Sequence, residues 1–408
     1  MFTSLAQFFG RFDRNLWVLS IGWFVGALGF AASIPFLAIY FHEQLLMSTT
    51  EIGLFFGAMA VVRSVFQIVG GELSDRIGRA ALLVHTQLAR SVTFAVLGLA
   101  IQEDWGFWPV AIIVALNAIF GGMFFPAVNA LVSDILPDNK RLDGFAITRA
   151  AGNLGWAAGP ALGGFLAHGS YAILFYLSAV ITLASGLIFW FVFKPPEPAG
   201  RKEAFKFSDL IAVRKDSRLA WHCVLIFFLY LVVAQLIAPF SVYTVDSVGI
   251  SEAQLGVLFT LNGILVTALQ IPITRLLRGW TFTAQLAAGG LLYFIGYGAL
   301  GFMSAYGSLF AIVAIVTFGE MFMSPPSLAL TARLAPKNRM GRYMGVYGFF
   351  QSAGWSFGPL YGGFFLDHFV DRPETAWLLI ATLALVSALG YYLFGRKLPD
   401  EINRSPAT

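Results

Sequence analysis

Apolar residues run in long stretches along this chain, and polar residues are mostly confined to short breaks between them. A helix needs about 20 mainly apolar residues to cross a bilayer. Twelve stretches meet that requirement: 15–41, 51–72, 80–101, 107–135, 142–167, 170–193, 219–245, 253–277, 282–303, 307–334, 342–366 and 374–395. The pattern predicts an all-α membrane protein with twelve transmembrane helices. Most connections are short. The exception is 194–218, KPPEPAGRKEAFKFSDLIAVRKDSR, which is polar, proline-containing and basic. It reads as a linker between a six-helix bundle at 1–193 and a second at 219–408 that ends in a short tail.

The breaks also carry an orientation signal, because Lys and Arg accumulate on the cytoplasmic side. With the N-terminus inside, the inner segments hold 22 Lys and Arg residues and the outer loops only Arg372, while Arg63, Arg90 and Arg149 lie within helices. Both termini are therefore expected in the cytoplasm. One missed span would scramble this asymmetry. The first apolar run is too long for the core of a signal peptide and is expected to stay as the first helix.

Composition adds little that the pattern lacks. Charged residues make up 12% of the 408, against about a quarter in a soluble domain, so most of the surface is expected to meet lipid. The net charge of +4 is scattered over short loops, which is no nucleic-acid signature. The single cysteine, Cys223, excludes an internal disulfide and reads as a small packing residue. No histidine has metal-ligand spacing to another donor, and no nucleotide loop, haem box or nucleophile elbow is present. No cofactor and no metal are expected, nor an enzymatic activity. A membrane-embedded enzyme or receptor would need a cluster of His, Asp and Glu at one membrane edge, or a large soluble domain, and the chain has neither.

The two bundles repeat each other. GWAAGPALGG at 155–164 matches GWSFGPLYGG at 354–363, and Pro126, Pro137 and Asn139 match Pro325, Pro336 and Asn338, all at one offset of 199. Pro35-Phe36 in the first span echoes Pro239-Phe240 in the seventh. Such an offset predicts parallel repeats about an axis along the membrane normal, the symmetry of a rocking transporter.

Between the second and third spans the chain reads Gly71-Glu72-Leu73-Ser74-Asp75-Arg76-Ile77-Gly78-Arg79-Ala80. This closely resembles the major facilitator superfamily, whose cytoplasmic signature is G-x-L-x-D-R-x-G-R-[RK]; Ala80 departs from it. The resemblance covers essentially the whole chain. It implies that Gly71, Asp75, Arg76, Gly78 and Arg79 form a cytoplasmic latch in the outward-facing state. Asp75 suits a partnership with Arg79 and with a helix N-terminus, and Asp134 is a second carboxylate for Arg76 or Arg79. The corresponding second-half loop, Pro272 to Gly279, has lost the acid.

The run Gly155, Gly159, Pro160, Gly163, Gly164 is similar to the signature of the drug:proton antiporter branch, and Gly354, Gly358, Pro359, Gly362 and Gly363 repeat it. Glycines four apart make a groove for a close backbone. The groove reads either as a surface that opens and closes between the halves or as a permanent packing groove. The branch usually carries an arginine in mid-helix 4, four residues before a glycine; here Asn117 precedes Gly121.

Ionisable groups at mid-membrane are costly and point to function. Glu320, about 13 residues into the tenth span, is the carboxylate deepest in the apolar zone and is expected to be the proton or cation site; a structural ion pair with an arginine is the alternative. Arg149 is expected to line the cavity in place of the missing arginine, with Asn117, Asn153, Gln235, Asn262 and Gln351 as further candidates. The expected function is proton-coupled export of small amphipathic compounds by alternating access, of the multidrug efflux type, in a bacterial cytoplasmic membrane. The alternative is a proton-coupled importer or exporter of a metabolite such as an organic anion, a sugar or an amino acid. The expected partners are a small-molecule substrate, protons and the lipid bilayer, and the chain is expected to act as a monomer.

Overall fold

The computed structural model describes residues 12–137, 141–167, 170–194, 216–336 and 340–404. Those residues form helices and connections, with no strand among them. In chain order the long helices are α1 Arg14–Glu43, α2 Thr49–Ile77, α3 Arg79–Gln102, α4 Phe107–Ile135, α5 Arg141–Ala167, α6 Tyr171–Phe191, α7 Ser217–Asp246, α8 Glu252–Leu276, α9 Phe282–Leu300, α10 Tyr306–Leu334, α11 Met340–His368 and α12 Pro373–Gly395. A short α13, Asp400–Asn403, follows. Each predicted stretch falls on one long helix. Among the described residues, nine helices are both long and apolar enough to span a bilayer; α5, α9 and α11 are not among the nine. These three carry runs rich in glycine and tyrosine or tryptophan, which lower hydropathy and suit helix-to-helix packing.

Local chemistry sets several boundaries. A capping box of Ser251 and Gln254 starts α8, and Thr281 caps α9. Asp216 accepts from the amides of Arg218 and Leu219 to start α7 and also accepts from the Tyr343 hydroxyl at 2.6 Å. The proline echo has two outcomes. Pro35 lies inside an unbroken α1, whereas α7 breaks before Pro239 into Ser217–Val233, a 3-10 turn at Ala234–Leu236, and Pro239–Asp246. Gln235 bridges that break, donating to the carbonyls of Leu231 and Gly358.

The chain divides into two compact units: Met1–Tyr40, Val61–Lys202 and Leu255–Gly263 in unit 1, and Phe41–Ala60, Glu203–Gln254 and Ile264–Thr408 in unit 2. In unit 1, α3 packs along α4 and α6, and Leu16, Leu19, Leu83, Phe124, Leu131 and Phe189 share a buried cluster. In unit 2, α9 packs on α10 and α12, and α7 on α11. Tyr293, Tyr297 and Trp377 form a continuous buried stack there, with ring centroids 6.0 and 5.7 Å apart. His222 is fully buried, placing one ring nitrogen 3.0 Å from Thr331 Oγ1 and the other 3.0 Å from the Tyr391 hydroxyl. Its neighbour Cys223 is equally buried, in a cluster with Leu219, Tyr343 and Val346. The tail docks on α9 through Asn403 and Thr283.

Large apolar side chains such as Ile112, Trp190, Phe191 and Leu276 are exposed. That inverts the surface of a water-soluble protein and suits lipid as the surrounding solvent.

Candidate functional site

The loop between α2 and α3 turns at Gly78, whose φ of 93° lies in the left-handed region that favours glycine. Just beyond the turn, Arg79 Nη1 pairs with Asp134 near the end of α4 and donates to the Ala130 carbonyl at 3.2 Å. Both side chains are largely shielded, Asp134 at 4% exposure and Arg79 at 16%. Arg76 is exposed. The side chain of Asp75 lies outside the described residues, as do the expected inner-loop charges Lys140 and Lys337. A side chain at Gly71 would meet open space, so nothing in the structure explains a glycine there.

The two glycine-proline runs have a common geometry that changes the expectation for them. On α5, a Cβ at Gly155 would sit 2.6 Å from the Phe24 carbonyl oxygen, one at Gly159 2.7 Å from the Ala31 methyl, and one at Gly163 would collide with the Ala32 carbonyl. The stripe therefore seats α1, in the same sequence half, and reads as a packing groove. Gly354, Gly358 and Gly362 seat α7 in the same way, against Phe227 to Gln235. The neighbouring face of each helix does something different. In unit 1, α8 lays Gly256 2.6 Å from the Pro160 carbonyl oxygen and Gly263 onto Ala157, with the Gly164 backbone alongside. In unit 2, α2 lays Gly53 onto the Pro359 carbonyl and Gly57 2.9 Å from that of Ser356, and Gly363 meets the Thr49 backbone. The contacts that join segments of opposite sequence halves therefore run through the prolines and through glycines on α2 and α8. Sequence reading missed Gly53, Gly57, Gly256 and Gly263, because they form no motif of their own.

In unit 2 these contacts end in a cap that carries no local sequence signal. Asp367, late in α11, accepts from the backbone amides of Thr49 at 3.0 Å and Thr50 at 2.6 Å, the first residues of α2. A carboxylate there satisfies orphan amides and complements the helix dipole. His42, partly buried, and Asp246, exposed, lie 3.5 Å apart in the same unit. Asp367→Ala is expected to cost about 1 kcal/mol, the usual worth of a cap, read as a lower melting midpoint of the purified protein. Asp367→Asn keeps one acceptor oxygen and should lose less.

Of the residues expected at a cavity, the structure withdraws two. Asn117 is buried, donating to Thr93 Oγ1 at 2.7 Å and accepting from Arg90 Nε at 3.5 Å. Gln235 is fully buried at the α7 break. Both are occupied by the fold. Arg149 and Asn153 are exposed on α5, Asn262 is half-buried on α8, and Gln351 on α11 donates to the Tyr230 hydroxyl at 2.6 Å. The guanidinium beside Asn117 and Gly121 belongs to Arg90; a Cβ at Gly121 would lie 3.6 Å from Arg90 Nε. Glu320 is half-buried on α10, and its charge bears on Tyr230, Tyr293 and Tyr297. It follows Gly319, which packs against the Gly289 carbonyl of α9.

Against known proteins, residues 19–359 and 223–407 match the family described as the Major Facilitator Superfamily. The chain is 29% identical over 400 residues to an uncharacterized MFS-type transporter, YttB, of Bacillus subtilis (strain 168), with 94% of this chain and 96% of the relative covered. It is 25% identical to the multidrug resistance protein MdtH of Yersinia pestis (strain Pestoides F), covering 97% and 96%. Among solved structures it superposes on a bacterial homologue of the human lysosomal transporter Spinster, with a TM-score of 0.78, 14% identity and 96% of this chain and 98% of that one covered. It also superposes on a POT family transporter in complex with 5-aminolevulinic acid, with a TM-score of 0.76, 15% identity and coverages of 94% and 96%.

Proposed function

From the premise that this chain belongs to the major facilitator superfamily of membrane transporters, we propose that it is a proton-coupled exporter of small amphipathic compounds. The observation that carries this reading is Glu320, a half-buried carboxyl group midway along α10 whose charge bears on three buried tyrosines. Intramembrane carboxylates recur as proton relays because they can cross between charged and neutral forms. The relative named for multidrug resistance supports the direction and the cargo.

In this proposal the protein sits in a bacterial cytoplasmic membrane with both termini inside, in keeping with the Lys and Arg asymmetry. The halves 1–193 and 219–408 alternate in access, as parallel-repeat transporters do. Asp75 and Arg76, with the Arg79–Asp134 pair behind them, latch the cytoplasmic side. Glu320 takes a proton from outside and releases it inside, and that cycle drives export.

The test is transport in liposomes under an imposed pH gradient, with a panel of anionic and cationic amphipathic dyes. Wild type is expected to move dye against its gradient when the proton gradient is present. Glu320→Gln should lose that uphill movement and keep downhill exchange. A variant that still couples to protons would remove Glu320 from the role.

A further inference from the structure

Unit 1 places two guanidinium groups on one aromatic ring. Arg63 of α2 and Arg90 of α3 hold their Cζ atoms 5.8 and 5.1 Å from the ring centre of Phe30, and Arg90 also lies 5.8 Å from that of Phe94. The two charges are close enough to repel. The acidic residues of unit 1 all fall near helix ends in the sequence, away from this level.

Arg90 is held in place by a built network. It is 4% exposed, donates to Gln87 Oε1 at 3.2 Å and lies within 3.5 Å of Asn117 Oδ1. Gln87 in turn donates to Ser185 Oγ at 2.8 Å, and Asn117 to Thr93 Oγ1 at 2.7 Å. These partners are neutral, so they orient the cation without balancing it. Arg63 is exposed and makes no hydrogen bond or ion pair among the described residues. Gly122 lets α4 approach the Arg63 backbone, and Gly121 leaves room for the Arg90 guanidinium. Like charges in a low-dielectric setting are expensive. One buried, oriented guanidinium and one accessible guanidinium, beside an apolar wall of Phe30 and Trp156 (ring centres 5.6 Å apart), suit an anion that brings an apolar body with it.

We infer that Arg63 and Arg90, across Phe30, form the binding subsite for an amphipathic organic anion. Its carboxylate or sulfonate group sits on the guanidiniums and its apolar body lies against Phe30 and Trp156. The inference rests on the transporter reading above and names the substrate class within it. It places the cargo among organic anions rather than lipophilic cations.

The test is calorimetric binding to the full chain in nanodiscs of zwitterionic lipid, with 2-naphthoate and 2-naphthylmethylammonium as probes of one size and opposite charge. Wild type is expected to bind the anion at least about tenfold more tightly, the worth of one charge-assisted hydrogen bond. Arg63→Gln should lose about that factor for the anion and not for the cation. Arg63→Lys, which keeps the charge without the planar fork, should fall between. Arg63 makes no hydrogen bond or ion pair among the described residues, and its contact with Phe30 is set against repulsion from Arg90, so Arg63→Gln should melt no lower than wild type. Equal affinity for the two probes, binding of neither, or an unchanged anion affinity in Arg63→Gln overturns the inference. The two readings fail separately. Arg63-dependent anion binding without proton-driven flux sinks only the exporter, whereas proton-driven flux of cationic dyes without anion binding sinks only the subsite.

Discussion

Gly163→Leu is expected to leave little folded protein. A Cβ at Gly163 would strike the Ala32 carbonyl oxygen and approach Phe36 Cε2 to 2.6 Å. Neither the carbonyl, fixed in the α1 backbone, nor the buried Phe36 ring can swing away. Overpacking a well-filled interior commonly costs about 1–3 kcal/mol, and a collision with backbone falls at or beyond the top of that range. Extraction into mild detergent followed by size exclusion should show a large loss of monodisperse protein, and what survives should melt at a clearly lower temperature. Gly348→Ala is the control. It lies within α11 where a Cβ meets nothing within 4 Å, so it should be neutral or gain up to about 1 kcal/mol in helix propensity. If Gly163→Leu behaves like Gly348→Ala, the close seating of α1 on α5 is wrong.

Asp134→Ala is expected to be the most damaging single charge removal in unit 1. Asp134 is almost entirely shielded, and its loss takes from the Arg79 guanidinium the carboxylate that pairs with Nη1, while the contact of Nη1 with the Ala130 carbonyl stays. Removing one member of a buried pair costs about 3–5 kcal/mol, chiefly through the charge left behind. Since Arg79 keeps some access to solvent, about 3 kcal/mol fits better. The double variant Arg79→Gln with Asp134→Asn removes both charges and should recover a substantial part of that loss. Melting curves on wild type, Arg79→Gln, Asp134→Asn and the double variant complete the cycle. Additive single-variant losses would show that the pair contributes no coupling.

The fold was largely legible in one dimension, because lipid demands long apolar helices and the chain has little freedom in how to supply them. The turn at Gly78 follows from spacing within a local stretch, whereas Asp134, 55 residues from Arg79, could be read only as a carboxylate for Arg76 or Arg79, and the structure selects Arg79. The contents of each helix face were not legible. Gly155, Gly159 and Gly163 announce a groove, but nothing in their spacing says whether α1 or α8 fills it. Asn117 and Gln235 look like cavity residues by polarity alone, yet one anchors Arg90 and the other bridges the break in α7. Asp367 and Thr49 are 318 residues apart, so no window along the chain could pair them. The three arginines were visible as costs. Their sorting into an exposed Arg149 and a convergent Arg63 and Arg90 depends on how α2, α3 and α1 rotate about their own axes.

The burial of Cys223 has a practical consequence. The chain has one thiol, and it is shielded on every side. The folded protein is therefore its own cysteine-silent background. A thiol placed at Leu46, 86% exposed between α1 and α2, or at Arg278, exposed between α8 and α9, is the one that a membrane-impermeant maleimide would reach. The side from which each site takes the label assigns every helix its direction through the membrane, with no need to replace a native residue first.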